Sequence, residues 1–322
     1  MGPVAPLISV VICTHNRAGV LPLAIESVVD QRRPPPYELI VIDNHSTDGT
    51  RHAVRRYRGA GTIRYTFEPT LGLANARNTG WRMARGAYVA YLDDDAIAGE
   101  GWLNAIVAAF DYLPYAGVVG GRVDPIWEEP RPAWVSDRMA RALSVLDWSP
   151  TPLVIEDPTR RWLVGANMAI PRLLLAKVGG FSPALGRRGA SLVSNEEMHL
   201  ERRLVRAGHP CLYYPAMRVR HLVPASRVRK QWFMRRYFWQ GVSDVVMNEL
   251  EQPSIGRRAA LAMREMRRLL RRPSRLAAAF IPTDDPAGVS AQCSTWASLG
   301  RLAGLLGAGR PKIGREIGRR VA

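Results

Sequence analysis

The sequence predicts an α/β fold, a parallel sheet with helices on its faces, and three observations carry that reading. Apolar, β-branched runs of strand length recur, and each ends in a cluster of polar turn residues. Segments with apolar residues at helical spacing separate them. The chain of 322 residues is 47% hydrophobic, enough for a sizeable core in one large domain or two smaller ones.

Taken in order, "LISVVICTHN" reads as a strand and "AGVLPLAIESVVDQ" as the helix after it. "YELIVIDNHSTDGT" repeats the form and leads into the helical "RHAVRRYR". "TIRYTFEP" is a third strand, "LANARNTGWRMAR" a helix and "AYVAYLDDD" a fourth strand. Residues 121–163, rich in Pro and Trp, read as an irregular connection with short elements. "WLVGANMAI" follows as a strand, and "PRLLLAKVGGF" as a short helix opened by proline and closed by glycine. "SNEEMHLERRLVRAGH" is a helix with a polar cap, acids in its first turn and Arg near its end. Two basic amphipathic helices, "RKQWFMRRYFWQGVSDVVMNELE" and "IGRRAALAMREMRRLLRRPSRLAAAFI", complete the pattern.

In parallel sheets of this kind, ligands bind beyond the carboxyl ends of the strands. That rule gives "CTHNR", "DNHSTDGT" and "DDD" a common address along one edge. The first strand is not followed by a helix-opening GxGxxG, which argues against an ordinary dinucleotide-binding domain. Asp43 is still placed to bind a ribose or a base. The adjacent acids Asp93, Asp94 and Asp95 repel one another, so they mark either a solvated strand end or a cation site. On an extended backbone, Asp93 and Asp95 share one face and Asp94 takes the other.

Composition narrows the class further. Cys13, Cys211 and Cys293 are odd in number and without a CxxC pair, which suggests neither a disulfide framework nor a zinc ribbon and fits a reducing cytoplasm. The first residues show no basic n-region or cleavage site, so no secretory signal is expected. No apolar stretch reaches the roughly 18 residues of a membrane span. The net charge of +17 is concentrated late: residues 218–322 carry 21 basic side chains against 7 acids.

Five segments, met in order between about Ile8 and His221, resemble the inverting family 2 glycosyltransferases of GT-A fold. They are "SVVICTHNR", "VIDNHSTDGT", "LGLANARNTGWRMARGAYVAYLDDDA", "GANMAIPRLLLAKVGGF" and "SNEEMHLERRLVRAG". The resemblance implies a Rossmann-like mixed sheet flanked by helices and transfer of a sugar from a nucleotide-sugar to an acceptor hydroxyl. It implies a glycosyltransferase domain over 1–222, with the nucleotide-sugar half at 1–120 and the acceptor half at 121–222. A basic helical region of the membrane-associating kind follows over 223–322.

In that resemblance Thr14, Asn16 and Arg17 line the nucleotide cleft, and Asp43 accepts a hydrogen bond from the base, a task suited to a charged acceptor. Asn44 and Ser46, with Asp48, shape the turn. Gly72, Asn75 and Arg77, with Asn78, open the helix beneath the diphosphate, Arg77 pairing with a phosphate or with nearby carboxylates. Asp93 and Asp94 serve the donor. Asp95 is the preferred direct ligand of Mg²⁺ or Mn²⁺, with Asp93 and His221 completing the metal site, since such ions favour hard oxygen donors. Glu197, with Glu196 beside it, is the general base; the family usually has Asp at the second position, so Glu197 reaches one methylene further.

The implied partners are a nucleotide-sugar donor, with retention of Asp43 leaning towards UDP, and a cell-envelope or lipid-linked glycan acceptor. The processive members' Q-x-x-R-W motif is missing, so transfer of single sugars is expected. The basic helices predict a cytoplasmic protein peripheral to the inner face of an anionic membrane. Two other classes compete. A nucleotidyltransferase would need a glycine-rich triphosphate loop, which "CTHNRAGVLP" does not supply, and a nucleic-acid-binding protein is suggested by the interleaved Arg and aromatics of "RKQWFMRRYFWQ". No nucleic acid is expected as partner.

Overall fold

The computed structural model describes residues 5–57, 63–271 and 273–307. Residues 1–4, the end of "RHAVRRYR" and the terminal basic stretch 308–322 therefore lie outside the described residues. Along the chain run β1 (Ile8–Thr14), α1 (Leu21–Val29), β2 (Tyr37–Asp43), α2 (Thr50–Arg55), β3 (Ile63–Phe67), α3 (Leu73–Met83), β4 (Tyr88–Asp93), β5 (Ala96–Ala98), α4 (Trp102–Tyr112), β6 (Val118–Gly120) and β7 (Val123–Trp127). They are followed by α5 (Asp137–Ala140), β8 (Leu153–Ile155), β9 (Asn167–Pro171), α6 (Arg172–Val178), α7 (Glu196–Arg206), β10 (Cys211–Tyr213) and β11 (Val219–Val223). The last helices are α8 (Lys230–Glu251), α9 (Ile255–Leu270), α10 (Pro273–Ala278) and α11 (Pro286–Leu305).

The chain divides into two compact units. The first comprises residues 1–130, 140–182 and 196–225, and the second 131–139, 183–195 and 226–322. In the first unit, an eight-stranded sheet has the order β3-β2-β1-β4-β9-β6-β10-β8. β1 to β4 pair in parallel, as the alternating pattern predicts. The all-parallel expectation fails at β9, which runs antiparallel between β4 and β6. The connection over 121–163 that leads into β9 contains only short elements, as its Pro- and Trp-rich sequence predicts. The mixed sheet matches what the family resemblance implies.

β1 and β2 are buried on almost every residue, which explains why they read as continuous apolar runs rather than as alternating ones. α1 covers the sheet with Leu21, Ala24, Ile25 and Val28, the positions that its helical spacing selects. A smaller sheet of order β5-β11-β7 stands beside the main one within the same unit. Asp94 and Asp95 form the turn that carries the chain from β4 into β5.

Two buried polar clusters hold the unit together. Asn167, fully buried at the start of β9, accepts from the Trp102 indole at 2.8 Å and donates to the carbonyls of Met217 at 2.6 Å and Arg122 at 3.1 Å. Glu38 accepts from the Ser9 hydroxyl at 2.8 Å, the Arg85 amide at 2.7 Å and the Arg64 guanidinium at 2.9 Å. Burial works against the Glu38 carboxylate, but the Arg64 hydrogen bond and the Arg85 and Ser9 donors outweigh it and hold its pKa below the usual range.

In the second unit, α8 packs along α11. Phe233, Val242, Val245, Val246 and Met247 of α8 are buried, and Phe233 meets Trp134 at 5.2 Å between ring centroids. Asp244 accepts from Gln240 and Asn195, each at 3.0 Å. The Arg-and-aromatic segment singled out in the sequence is therefore largely a packed helix, because its aromatics are consumed by one another and by Trp134 and Trp296.

Asn167→Ala strands an indole N–H and two carbonyls in the core and is expected to cost about 2–3 kcal/mol, read by urea denaturation. Because the folded Glu38 pKa lies below its unfolded value of about 4.3, its contribution is present above that pH and lost as pH falls through the folded value. Glu38→Gln is thus expected to flatten the acid limb of the stability curve relative to wild type, measured by thermal melts between neutral and acid pH.

Candidate active site

The register of the parallel strands brings the polar clusters to one level. Thr14 lies opposite Asp43, and Cys13 opposite Asp93, so the carboxyl ends of β1, β2 and β4 form a shared edge. Asp43 is buried, with one carboxylate oxygen accepting the Ser46 amide at 2.9 Å and the other the Tyr65 hydroxyl at 2.7 Å. Burial and the Asp43 charge push the Tyr65 phenol upward, so it stays a donor. Tyr65 sits on β3, opposite Val41, and only strand pairing reveals it as a partner of Asp43.

Asn44 ties this turn to the start of α3. Its amide donates to the Thr70 carbonyl at 2.8 Å, and its oxygen accepts the Gly72 amide at 2.7 Å. Gly72 has φ 144°, a conformation that side chains disfavour, which accounts for glycine at the entrance of the helix. Asn75 in the first turn of α3 donates to the Thr70 carbonyl at 3.4 Å. The loops after β1 and β2 are stitched by the Asn16 amide on the Ser46 hydroxyl at 2.9 Å and the Thr47 amide on the Asn16 side chain at 2.8 Å. Asp48 accepts the amides of Ala18 and Thr50. Asn78 has its amide filled by the backbone of Phe181 on both sides, at 2.8 and 2.9 Å, and so latches α3 to the loop after α6.

Arg77 is the centre of the arrangement. Its side chain is 2% exposed, so the surface position open to it on a helix is not the one it takes. One guanidinium nitrogen lies 3.0 Å from Glu196 and 2.9 Å from Glu197, and the other 3.5 Å from Asp93. The Phe181 and Tyr91 rings flank it at 5.4 and 6.0 Å from their centroids. The nearby carboxylates, one of the two partners weighed for it in the sequence, are thus in contact with it. Gly165 makes the room: a Cβ there would collide with both the guanidinium and the Glu197 carboxylate. Burial alone would lower the Arg77 pKa, but Glu197, Glu196 and Asp93 outweigh it and keep the group charged.

Glu196 and Glu197 open α7, as their position in the sequence predicts. Their exposures separate them: the Glu196 side chain is 3% exposed and that of Glu197 19%. Burial raises the Glu197 pKa, yet the Arg77 charge prevails and holds it below the usual carboxylate range. One turn on, Glu201 is buried, takes the Leu163 amide, and is pushed well up by its burial. No sequence signal singled it out, since its spacing is that of an ordinary helical core position.

Asp93, Asp95 and His221 each present one ligand atom, and these atoms all lie within 4.8 Å of one another. The strand ends at Asp93, so alternation along an extended backbone is not what joins Asp93 to Asp95; the tight turn does it instead. β11 brings His221 opposite Ala96, and the Leu222 amide holds the Asp95 carbonyl at 2.9 Å. His221 Nε2 stands 3.0 Å from Asp95 Oδ1, while its buried Nδ1 has no hydrogen-bond partner. Arg17 approaches the other Asp95 oxygen at 3.6 Å. Burial raises Asp93, against the pull of Arg77, and burial followed by the Asp95 charge pushes Asp94 up to about 7. Two carboxylates, Asp93 and Asp95, with the His221 imidazole beside them form a donor set that fits a divalent cation.

The candidate site residues from Thr14 to His221 thus all fall in the first unit. The family model for glycosyl transferase family 2 matches residues 9–178. A glucosyl-dolichyl phosphate glucuronosyltransferase of Haloferax volcanii is 27% identical over 246 residues, 76% of this chain and 78% of that protein. A validoxylamine A glucosyltransferase of Streptomyces hygroscopicus subsp. limoneus is 39% identical over 107 residues, which span 32% of this chain and 24% of that one. In fold, the chain is similar to a mannosyltransferase from Pyrobaculum calidifontis in complex with GDP-Man and Mn²⁺, with a TM-score of 0.55 and 21% identity over 94% of this chain and 74% of that one. The eight-stranded mixed sheet flanked by helices is the GT-A architecture, and with more than half its length matched by the family model the chain is a glycosyltransferase belonging to glycosyl transferase family 2.

Proposed function

We propose that this chain transfers one sugar at a time from a nucleotide-sugar, with UDP as the preferred nucleotide, to a hydroxyl of a lipid-linked or cell-envelope glycan, with inversion at the anomeric carbon. The observation that carries the reading is the Arg77 guanidinium, which touches Glu197 on one side and Asp93 on the other at 2.9 and 3.5 Å. A carboxylate able to take a proton and a corner able to hold a cation are thereby kept within reach of a single substrate.

In this reading Glu197 is the general base. It is ionised, and it keeps an exposed edge that Glu196 lacks. Glu197 accepts the acceptor hydroxyl's proton as that oxygen forms its bond to the anomeric carbon. The bond from that carbon to the diphosphate oxygen breaks on the opposite face, and the nucleoside diphosphate leaves with the electron pair. Asp95, Asp93 and His221 would hold Mn²⁺ or Mg²⁺, the imidazole favouring Mn²⁺, and the ion when bound would neutralise charge on the leaving diphosphate.

Asp43 is assigned to the base: its two accepted bonds fix the carboxylate and leave acceptor capacity for a nucleobase N–H. Thr14, Asn16, Asn44 and Ser46 shape the nucleotide cleft, and Gly72 and Asn75 the entrance of α3, whose N-terminus favours anions. With Arg77 committed to carboxylates, Arg17, a third exposed and beside Asp95, is the cation offered to the diphosphate. The donor is assigned to the half before residue 120 and the acceptor to residues 121–222.

A thermal-shift screen over nucleotide-sugars in the presence of Mn²⁺ tests the class and the donor together. A donor-dependent shift that disappears with chelator and returns with Mn²⁺ is the expected result; no shift with any donor defeats the reading. Glu197→Gln is expected to lower kcat by about 10²–10⁴-fold with donor binding retained. Asp95→Ala is expected to abolish both metal-dependent donor binding and transfer while circular dichroism stays unchanged. Full activity in both variants would sink the mechanism.

A further inference from the structure

The Arg-and-aromatic helix α8 is packed, and a different surface of the second unit carries exposed apolar side chains beside positive charge. On α9, Ala259, Met263, Met266 and Leu270 are exposed and spaced four, three and four residues apart, which places them on one stripe. Met263 is 56% exposed, Met266 42% and Leu270 65%. Arg264, Arg267, Arg268 and Arg271 are exposed on the adjoining face. The opposite side of the helix is occupied: Glu265, the acid of α9, pairs with Arg301 of α11 at 3.0 Å, and Arg258 reaches the Leu305 carbonyl. Just after α10, Phe280 and Ile281 are 63% and 61% exposed.

The geometry points to α9 as a docking surface for an anionic phospholipid bilayer, the helix lying in the plane of the interface with Met263, Met266 and Leu270 entering the acyl boundary and the arginines meeting the headgroups. Two observations select this occupant. The apolar stripe gains nothing from a polyanion in water but is stabilised where hydrocarbon is at hand. The arginines beside it match a negative surface, with Glu265 already committed to Arg301. A nucleic acid would instead draw on stacked aromatics, and those of α8 are turned towards one another and Trp134. Among the described residues no helix is long and apolar enough to cross a membrane, so the contact is with the surface. This docking does not depend on the sugar-transfer reading, and binding is measured without turnover.

Flotation of the full chain with vesicles of phosphatidylcholine alone, or mixed with phosphatidylglycerol, reads the proposal. Binding to the mixed vesicles that weakens with salt is expected, with little binding to phosphatidylcholine. The triple variant Met263→Ser, Met266→Ser, Leu270→Ser is expected to lose about tenfold or more in partitioning. Arg264→Gln with Arg267→Gln and Arg271→Gln is expected to lose about tenfold to a hundredfold. All of these positions are exposed, so Tm and circular dichroism should stay at wild-type values; Met263→Ser alone asks the same question if the triple variant melts early. Equal binding of the triple variant and wild type, or equal binding to both vesicle types, overturns the proposal. So does salt-sensitive binding to duplex DNA that the serine substitutions leave intact while vesicles are ignored.

Discussion

The first unit is organised around one buried cation. Arg77 is almost wholly removed from water, and the several kcal/mol that desolvating a guanidinium costs are offset only by charges placed against it. Three acids meet that need, Glu197, Glu196 and Asp93, and they come from helix α7 and strand β4, which are about a hundred residues apart in the chain. The dependence runs both ways. Without Arg77 the acids at the start of α7 would face Asp93 as uncompensated like charges, and without them the guanidinium would be an unpaired buried ion. The aromatic rings of Phe181 and Tyr91 close the remaining sides, and the missing side chain of Gly165 leaves the space.

Around that anchor, the two sheets divide the labour. The parallel strands β1, β2 and β4 end at one level and supply the turns with Asp43 and the acids from Asp93 to Asp95. The small sheet then takes the chain directly from Asp95 into β5 and pairs it with β11, which delivers His221. An imidazole more than a hundred residues downstream reaches the acids because β11 pairs with the strand that leaves them. Burial, with the neighbouring Asp95 charge added to it, raises the carboxyl pKa values at Asp93 and Asp94, and the buried Nδ1 of His221 has no hydrogen-bond partner.

In the second unit, composition and position separate. α8 and α9 are both rich in arginine and apolar side chains, and a sequence pattern alone treats them alike. The outcome depends on partners: α8 lies along α11 and spends its aromatics in packing, while α9 commits one face to α11 and leaves Met263, Met266 and Leu270 outside. Hydrophobic periodicity records that a helix has an apolar face, but the neighbour that covers the face is a property of the tertiary structure.

By itself the sequence determined the order of strands and helices through Asp93, the level at which the polar turns gather, and the family to which the chain belongs, because these rest on local periodicity, turn chemistry and ordered motifs. The family resemblance added Asp93, Asp95 and His221 as a group, and the residue pattern marked Glu196 and Glu197 as the opening of a helix. Only the tertiary structure decided that β9 runs antiparallel, that a turn rather than strand alternation joins Asp93 to Asp95, that Tyr65 holds Asp43, and that Arg77 serves carboxylates from inside the protein. Each of those turns on contacts between segments far apart in the chain, where burial sets the strength of a charge and the identity of its partner, and neither quantity is written in the spacing of residues.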